Sequence, residues 1–305
     1  MFVGMLIFVG CQVDTNKVGN GSSEGKIQVV TTIAQIAEPI EMIGGEYVEV
    51  KSLMGPGVDP HLYKATQGDI NTLQNADIIF FNGLHLEGNM GEIFEQLKES
   101  KKILAVGETI DQNRLLKDEQ GAIDPHIWFD LDIWKDALNS ATEVLKEYSP
   151  NHAEYFEENK QLYFQKMDEL KEEATKKLLS IPKQQRILVT AHDAFGYFGR
   201  MFDIDVVGLQ GLSTEDEVSL SDIQATIELL IEKQVPAVFV ESSINPKTIQ
   251  AVIEGASQRG LEVQLGGELF SDAMGEAGTE EGTYLGMYRH NVNTIYEALK
   301  GESKS

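Results

Sequence analysis

Three histidines sit where an imidazole can do chemistry. His192 stands in VTAHDAFGYFGR, directly after an apolar run and beside Asp193, while His61 and His126 each close an Asp-Pro-His tripeptide, in GPGVDPHLYKAT and DPHIWFD. An imidazole beside a carboxylate serves as a general base, as a metal ligand, or as a core histidine with a satisfied hydrogen bond. A tripeptide used twice among six histidines favours ligation: proline fixes φ and the aspartate hydrogen-bonds the loop, so the ring is held in advance. A fourth group should be an oxygen donor, and Asp272 offers one in the glycine-rich stretch GGELFSDAMGEAGTEEGTYLGMYRHN. Three neutral imidazoles and a carboxylate form an N3O set. It suits tetrahedral Zn²⁺, or Mn²⁺ if the carboxylate binds through both oxygens.

Asp193, Glu215, Asp216 and Glu217 are competing donors. Asp193 is better placed as the N-cap of a following helix, whose positive end would help keep His192 neutral, and 215–217 read as an exposed turn. Glu241, closing PAVFVE, is a candidate acceptor for an imidazole N–H. His152 is expected in the first turn of a helix, facing solvent; His290, in YLGMYRHN, is expected to hydrogen-bond near the site rather than ligate. His85, in NGLHLEGN, also follows an apolar run, so position alone does not exclude it. The enzymatic alternatives are a zinc hydrolase built on the same residues, or a His192/Asp193 pair with Ser213 or Ser219 as nucleophile. His-Glu-x-x-His does not occur, no Gly-x-Ser-x-Gly elbow joins a strand to a helix, and four protein ligands would fill the open position that catalytic zinc needs.

The elements that must position these residues follow from periodicity. Apolar, β-branched runs alternate with helix-like segments: KIQVVTT, YVEVKSLM, ADIIFFNG and KKILAVG, then RILVTA, DIDVVGL, PAVFVES and LEVQLGG. This is the alternation of parallel α/β sheets, whose ligands bind beyond the carboxyl ends of strands. Two sets of four separated by a long insertion predict two α/β lobes, each a roughly four-stranded parallel sheet flanked by helices. The insertion opens at Ser149-Pro150, an N-cap with proline at N1, and stops at Ile181-Pro182. Within it Phe156, Tyr163, Met167, Leu170, Ala174 and Leu178 keep a three- or four-residue spacing broken only around Asn159 and Lys160. It reads as one long helix of roughly 45 Å joining the lobes and restricting their motion. The expected division is 27–148 for the first lobe, 149–182 for the linking helix and 183–305 for the second.

Composition narrows the class. The 305 residues, 42% hydrophobic, are enough for two cored domains. A formal charge of −24 repels nucleic acid and anionic membrane surfaces and suits attraction of cations. The single cysteine, Cys11, follows the apolar opening MFVGMLIFVG, too short to span a bilayer but suited to a signal-peptide core. Phe8-Val9-Gly10-Cys11 resembles a bacterial lipobox, with Phe8 where Leu is usual and no basic residue before the apolar run. Residues 1–11 are then a signal peptide with its lipidated cysteine, and 12–26 a flexible tether for an exported, outward-facing protein. A surface adhesin lipoprotein is a further alternative.

In the order GVDPHLYKAT, NGLHLE, DPHIWFD, VTAHDAFGYF and FSDAMGEAGTEEGTYLGMYRHN, the chain resembles the TroA-like zinc/manganese solute-binding proteins of bacterial ABC importers from about residue 27 to its end. The resemblance implies two α/β lobes joined by a rigid helix, with one metal ion held between them by a ligand from each of four loops. Carried over by motif, the ligands are His61, His126, His192 and Asp272, whereas His85 occupies a position that is not a ligand in the family. It also implies delivery of the cargo to an ABC permease and ATPase; with the lipobox, the expectation is a monomer, lipid-anchored at the outer face of the cytoplasmic membrane or in the periplasm. Several manganese-specific members carry glutamate as third ligand, and zinc-specific members often carry a histidine-rich loop. This chain has neither feature, which groups it with members that take either Zn²⁺ or Mn²⁺.

Overall fold

The computed structural model describes residues 25–300. The expected signal segment, its Cys11 and most of the expected tether lie outside the described residues. Among the described residues no helix is long and apolar enough to cross a membrane.

The first lobe runs β1 (Ile27–Thr31), α1 (Ala34–Gly44), β2 (Val48–Ser52), α2 (Gln67–Asn75), β3 (Ile78–Phe81), α3 (Gly91–Leu97), β4 (Lys102–Ala105) and α4 (Leu131–Tyr148). Its strands form one parallel sheet in the order β2-β1-β3-β4, with Val29 opposite both Val50 and Ile78 and Phe81 opposite Ala105. Both faces are covered, so the central strands β1 and β3 are buried almost throughout. Side-chain caps fix where two of the helices begin. Thr66 and Asp69 form a capping box at α2, and Asp130 accepts from the N–H groups of Asp132 and Ile133 at α4. That second cap closes the DPHIWFD motif and so anchors His126 to the start of a helix.

The expected linking helix is present with a short preface. Ser149 and Pro150 open one 3₁₀ turn (Pro150–His152), and α5 (Ala153–Leu178) continues for 26 residues, about 39 Å. The apolar stripe is buried at each expected position, and the gap in its spacing is filled by Lys160. The Lys160 ammonium, only 4% exposed, bonds to Asn139 Oδ1 at 2.7 Å and Glu157 Oε2 at 2.9 Å. Its neighbour Asn159 donates to the Ile43 carbonyl.

The second lobe runs β5 (Ile187–His192), α6 (Gly196–Phe202), β6 (Asp205–Gln210), α7 (Leu220–Lys233), β7 (Ala237–Glu241), α8 (Lys247–Gln258), β8 (Gln264–Leu269) and α9 (Tyr284–Leu299). Here the strands pair as two parallel ladders, β5 with β6 and β7 with β8, with β5 and β7 side by side. At their carboxyl ends a side chain bridges the two: Glu241 Oε1 accepts the His192 N–H at 2.8 Å.

The core does not stop at the lobe boundary. One cluster of buried residues runs from Phe80 and Trp134 through Met167 and Leu170 of α5 to Phe195, Phe198 and Tyr288, while a second lies between the later strands and α7 and α8. α5 packs on α1 and α4 on one side and on α9 on the other.

Candidate metal centre

Each of four elements ends by presenting one side chain to the same point. His61 lies in the loop after β2, His126 just before α4, His192 is the last residue of β5, and Asp272 follows β8. One potential ligand atom from each lies within 4.8 Å of all the others, and all four residues are buried. Asp272 occupies the middle. Its Oδ1 is 3.3 Å from His126 Nε2, and its Oδ2 is 3.3 Å from His192 Nε2 and 3.6 Å from His61 Nε2.

The rings are aimed by carboxylates behind them. Asp124 Oδ1 accepts the His126 backbone N–H at 2.9 Å and lies 2.8 Å from His126 Nδ1, which leaves Nε2 to face the centre. Glu241 Oε2 lies 2.5 Å from His192 Nδ1, a close contact that falls outside hydrogen-bond geometry, while Oε1 holds the backbone N–H. The two Asp-Pro-His motifs share a backbone design but not a ring partner. Asp59 Oδ1 accepts the His61 N–H at 2.9 Å, yet its Oδ2 accepts the Thr214 hydroxyl at 2.6 Å, from the second lobe. Asn89 Nδ2 donates to the His61 carbonyl at 2.8 Å and to Glu215 Oε1 at 3.3 Å.

Burial and charge act differently on each ring. Burial pushes the His61 imidazole down to about 4, with the Asp272 charge only partly opposing it. For His126 burial also acts to lower the pKa, but the hydrogen bond to Asp124 and the facing Asp272 carboxylate outweigh it and raise it to about 9. His192 follows the same pattern: burial is overcome by the Glu241 and Asp272 charges, which hold it well above its ordinary value. Burial would raise Asp272, and the facing His192 and His126 instead hold it well below the usual carboxylate range.

These directions correct one expectation. Asp193 does not cap a helix: α6 begins at Gly196 with Phe195 at the cap position, and the Asp193 N–H instead pairs with the Gln210 carbonyl. The His192 charge state is governed by two carboxylates rather than by a helix end. The remaining candidates fall outside the cluster. His85 is exposed, in a left-handed pair with Leu84 (φ 67° and 55°). Glu215, Asp216 and Glu217 form an exposed segment. Ser219 caps α7, and Ser213 Oγ accepts the Glu215 N–H. His152 is half-buried; it stacks on Tyr47 with ring centroids 3.8 Å apart and is held by Ser149 Oγ at 2.8 Å. His290 meets the Glu268 carbonyl at 3.0 Å, bracing the strand that leads to Asp272.

Sequence reasoning assigned Glu241 its place but not the roles of Thr214 and Asn89, whose neighbours Glu215 and His85 were the ligand candidates in those loops. The shared Asp-Pro-His motif was the available signal for Asp124 and Asp59. It foretold their hydrogen bonds to the loop backbone but not the ring contact of Asp124.

Comparison with known proteins places the family and the fold. A family model described as ZnuA, zinc-uptake complex component A, periplasmic, matches residues 29–298. The chain is 48% identical over 292 residues to the manganese-binding lipoprotein MntA of Bacillus subtilis (strain 168), covering 95% of this chain and 94% of that one. It is 47% identical over 280 residues to the zinc-binding protein TroA of Treponema pallidum (strain Nichols), covering 92% and 91%. The solved structure of the periplasmic zinc-binding protein TroA from Treponema pallidum matches with a TM-score of 0.89 at 48% identity, covering 91% of this chain and 100% of that chain. Two α/β lobes, a long helix between them and a family match over nearly every described residue lead to one conclusion: the chain belongs to the ZnuA family of periplasmic zinc-uptake components.

Proposed function

We propose that this protein captures one Zn²⁺ or Mn²⁺ ion between its lobes and delivers it to an ABC permease powered by an ATPase. The observation that carries the reading is the convergence of three imidazole Nε2 atoms on one carboxylate inside a fully buried pocket. His61, His126, His192 and Asp272 are the ligands on this reading. A cluster of this kind is costly to bury without a cation to share, and a +2 charge satisfies the donors together.

Residues 27–148 and 183–305 act as the two jaws, and 149–182 as the strut that keeps them in register. Cys11, lipidated, tethers a monomer to the outer face of the cytoplasmic membrane or in the periplasm. The protein is a carrier and not an enzyme, because four protein ligands leave no coordination position for a reacting water. Zinc binds more tightly at equal free concentration, and manganese becomes the cargo where zinc is scarce. MntA and TroA, named for manganese and zinc, both support a site that accepts either ion.

The test is elemental analysis of protein purified without added metal, followed by Zn²⁺/Mn²⁺ competition on wild type and on Asp272→Ala. One ion per chain and a large loss of affinity in the variant are expected. No bound metal and no uptake from solution would overturn the reading.

A further inference from the structure

We propose that Gln35 is a positioning residue for Asp272, acting from the opposite lobe through the Ser271 carbonyl; this rests on Asp272 being a metal ligand. Gln35 lies in the first turn of α1, buried on the same helix as Ile36, Pro39, Ile40 and Ile43. A buried amide among apolar side chains is costly unless it is hydrogen-bonded. Gln35 Nε2 donates to Ser271 O at 3.1 Å, and Trp128 Nε1 donates to the same oxygen at 3.2 Å. Both donors come from the first lobe, and the carbonyl they hold belongs to the second.

The geometry explains why that carbonyl matters. Carboxylates that ligate metals are usually steered by a hydrogen bond to the carboxylate itself. Here neither Asp272 oxygen has such a bond from any protein group; both face only the imidazoles. The aim of the carboxylate must therefore come from its backbone. On the strand side Asn291 of α9 fastens Phe270, accepting its N–H at 2.9 Å and donating to its carbonyl at 2.7 Å. Between that anchor and Asp272 lies one planar peptide unit, shared by the Ser271 carbonyl and the Asp272 nitrogen, so fixing its oxygen fixes the N–Cα bond of Asp272 and restrains where its side chain departs. Gln35 and Trp128 thus bring the ligand of one lobe into register with the histidines of the other.

The experiment measures Zn²⁺ affinity by chelator competition, and the visible spectrum of the Co²⁺-loaded protein, for wild type, Gln35→Leu, Asp272→Ala and the double variant. Gln35→Leu should weaken Zn²⁺ about tenfold and shift the Co²⁺ bands, which report ligand geometry. In the Asp272→Ala background the same substitution should change neither. Trp128→Phe, which removes the other donor and keeps an aromatic ring, should behave like Gln35→Leu and provides the test if that variant fails to fold. Equal weakening by Gln35→Leu with and without Asp272, or no weakening at all, would overturn the inference while leaving the ligand assignment intact. Wild-type affinity in Asp272→Ala alone would overturn the ligand assignment and the inference with it.

Discussion

At the scale of single residues, histidines that face carboxylates store protons that a metal ion must displace. His126, raised to about 9, carries a proton at pH 7, and His192 is shifted in the same direction by Glu241 and Asp272, while His61, lowered to about 4, is neutral. Metal binding should therefore release protons at pH 7, and affinity should fall as pH drops. Calorimetry in buffers of different ionisation enthalpy reads that release directly. The same shifts set the stability of the metal-free protein. A raised pKa stabilises the fold below the ordinary value near 6.5 and loses that contribution as pH climbs to about 9. A lowered pKa, as at His61, stabilises above 6.5 and loses its contribution as pH falls through about 4. Metal-free protein should thus melt at progressively lower temperature between pH 6.5 and 9, whereas Zn²⁺-loaded protein should not, since its affinity grows over that range. Parallel slopes for the two forms would contradict the assigned charge states. The ligand-like quartet was legible because each member follows a strand or sits in a rigid tripeptide. The difference between Asp59 and Asp124 was not, because it depends on whether a ring nitrogen or a hydroxyl of the other lobe is nearer.

At the scale of elements, α5 holds the molecule together through a narrow stripe. Leu170 is 1% exposed within the core that joins the lobes, so Leu170→Ala should cost about 2–5 kcal/mol in chemical denaturation. A loss below about 1 kcal/mol would mean that the helix is less tightly packed than described. The stripe itself was readable from spacing, since burial on one face of a helix follows its period. The gap at Lys160 was not readable as a buried position, because a lysine is buried only where partners such as Asn139 and Glu157 wait for it. The strands were likewise countable from sequence, but their division into two ladders in the second lobe depends on pairing that no single strand encodes.

At the scale of the whole molecule, the lobes are joined by more than the long helix. Tyr197, Tyr284 and Tyr288 of the second lobe donate to the carbonyls of Asp124, Trp128 and Phe129 at 3.0, 2.6 and 2.9 Å, around the His126 segment. A continuous buried core runs behind them. Wide hinge opening would break these bonds together, so small-angle scattering should give the same radius of gyration with and without Zn²⁺ within error; a clear expansion on metal removal would refute a packed joint.

The central claim is that one ion sits among His61, His126, His192 and Asp272. Anomalous diffraction at the zinc edge, from crystals grown with one equivalent of Zn²⁺, tests it most directly. A single peak about 2.0–2.2 Å from the three Nε2 atoms and from an Asp272 oxygen is expected. A peak elsewhere, or none at this position, would contradict it.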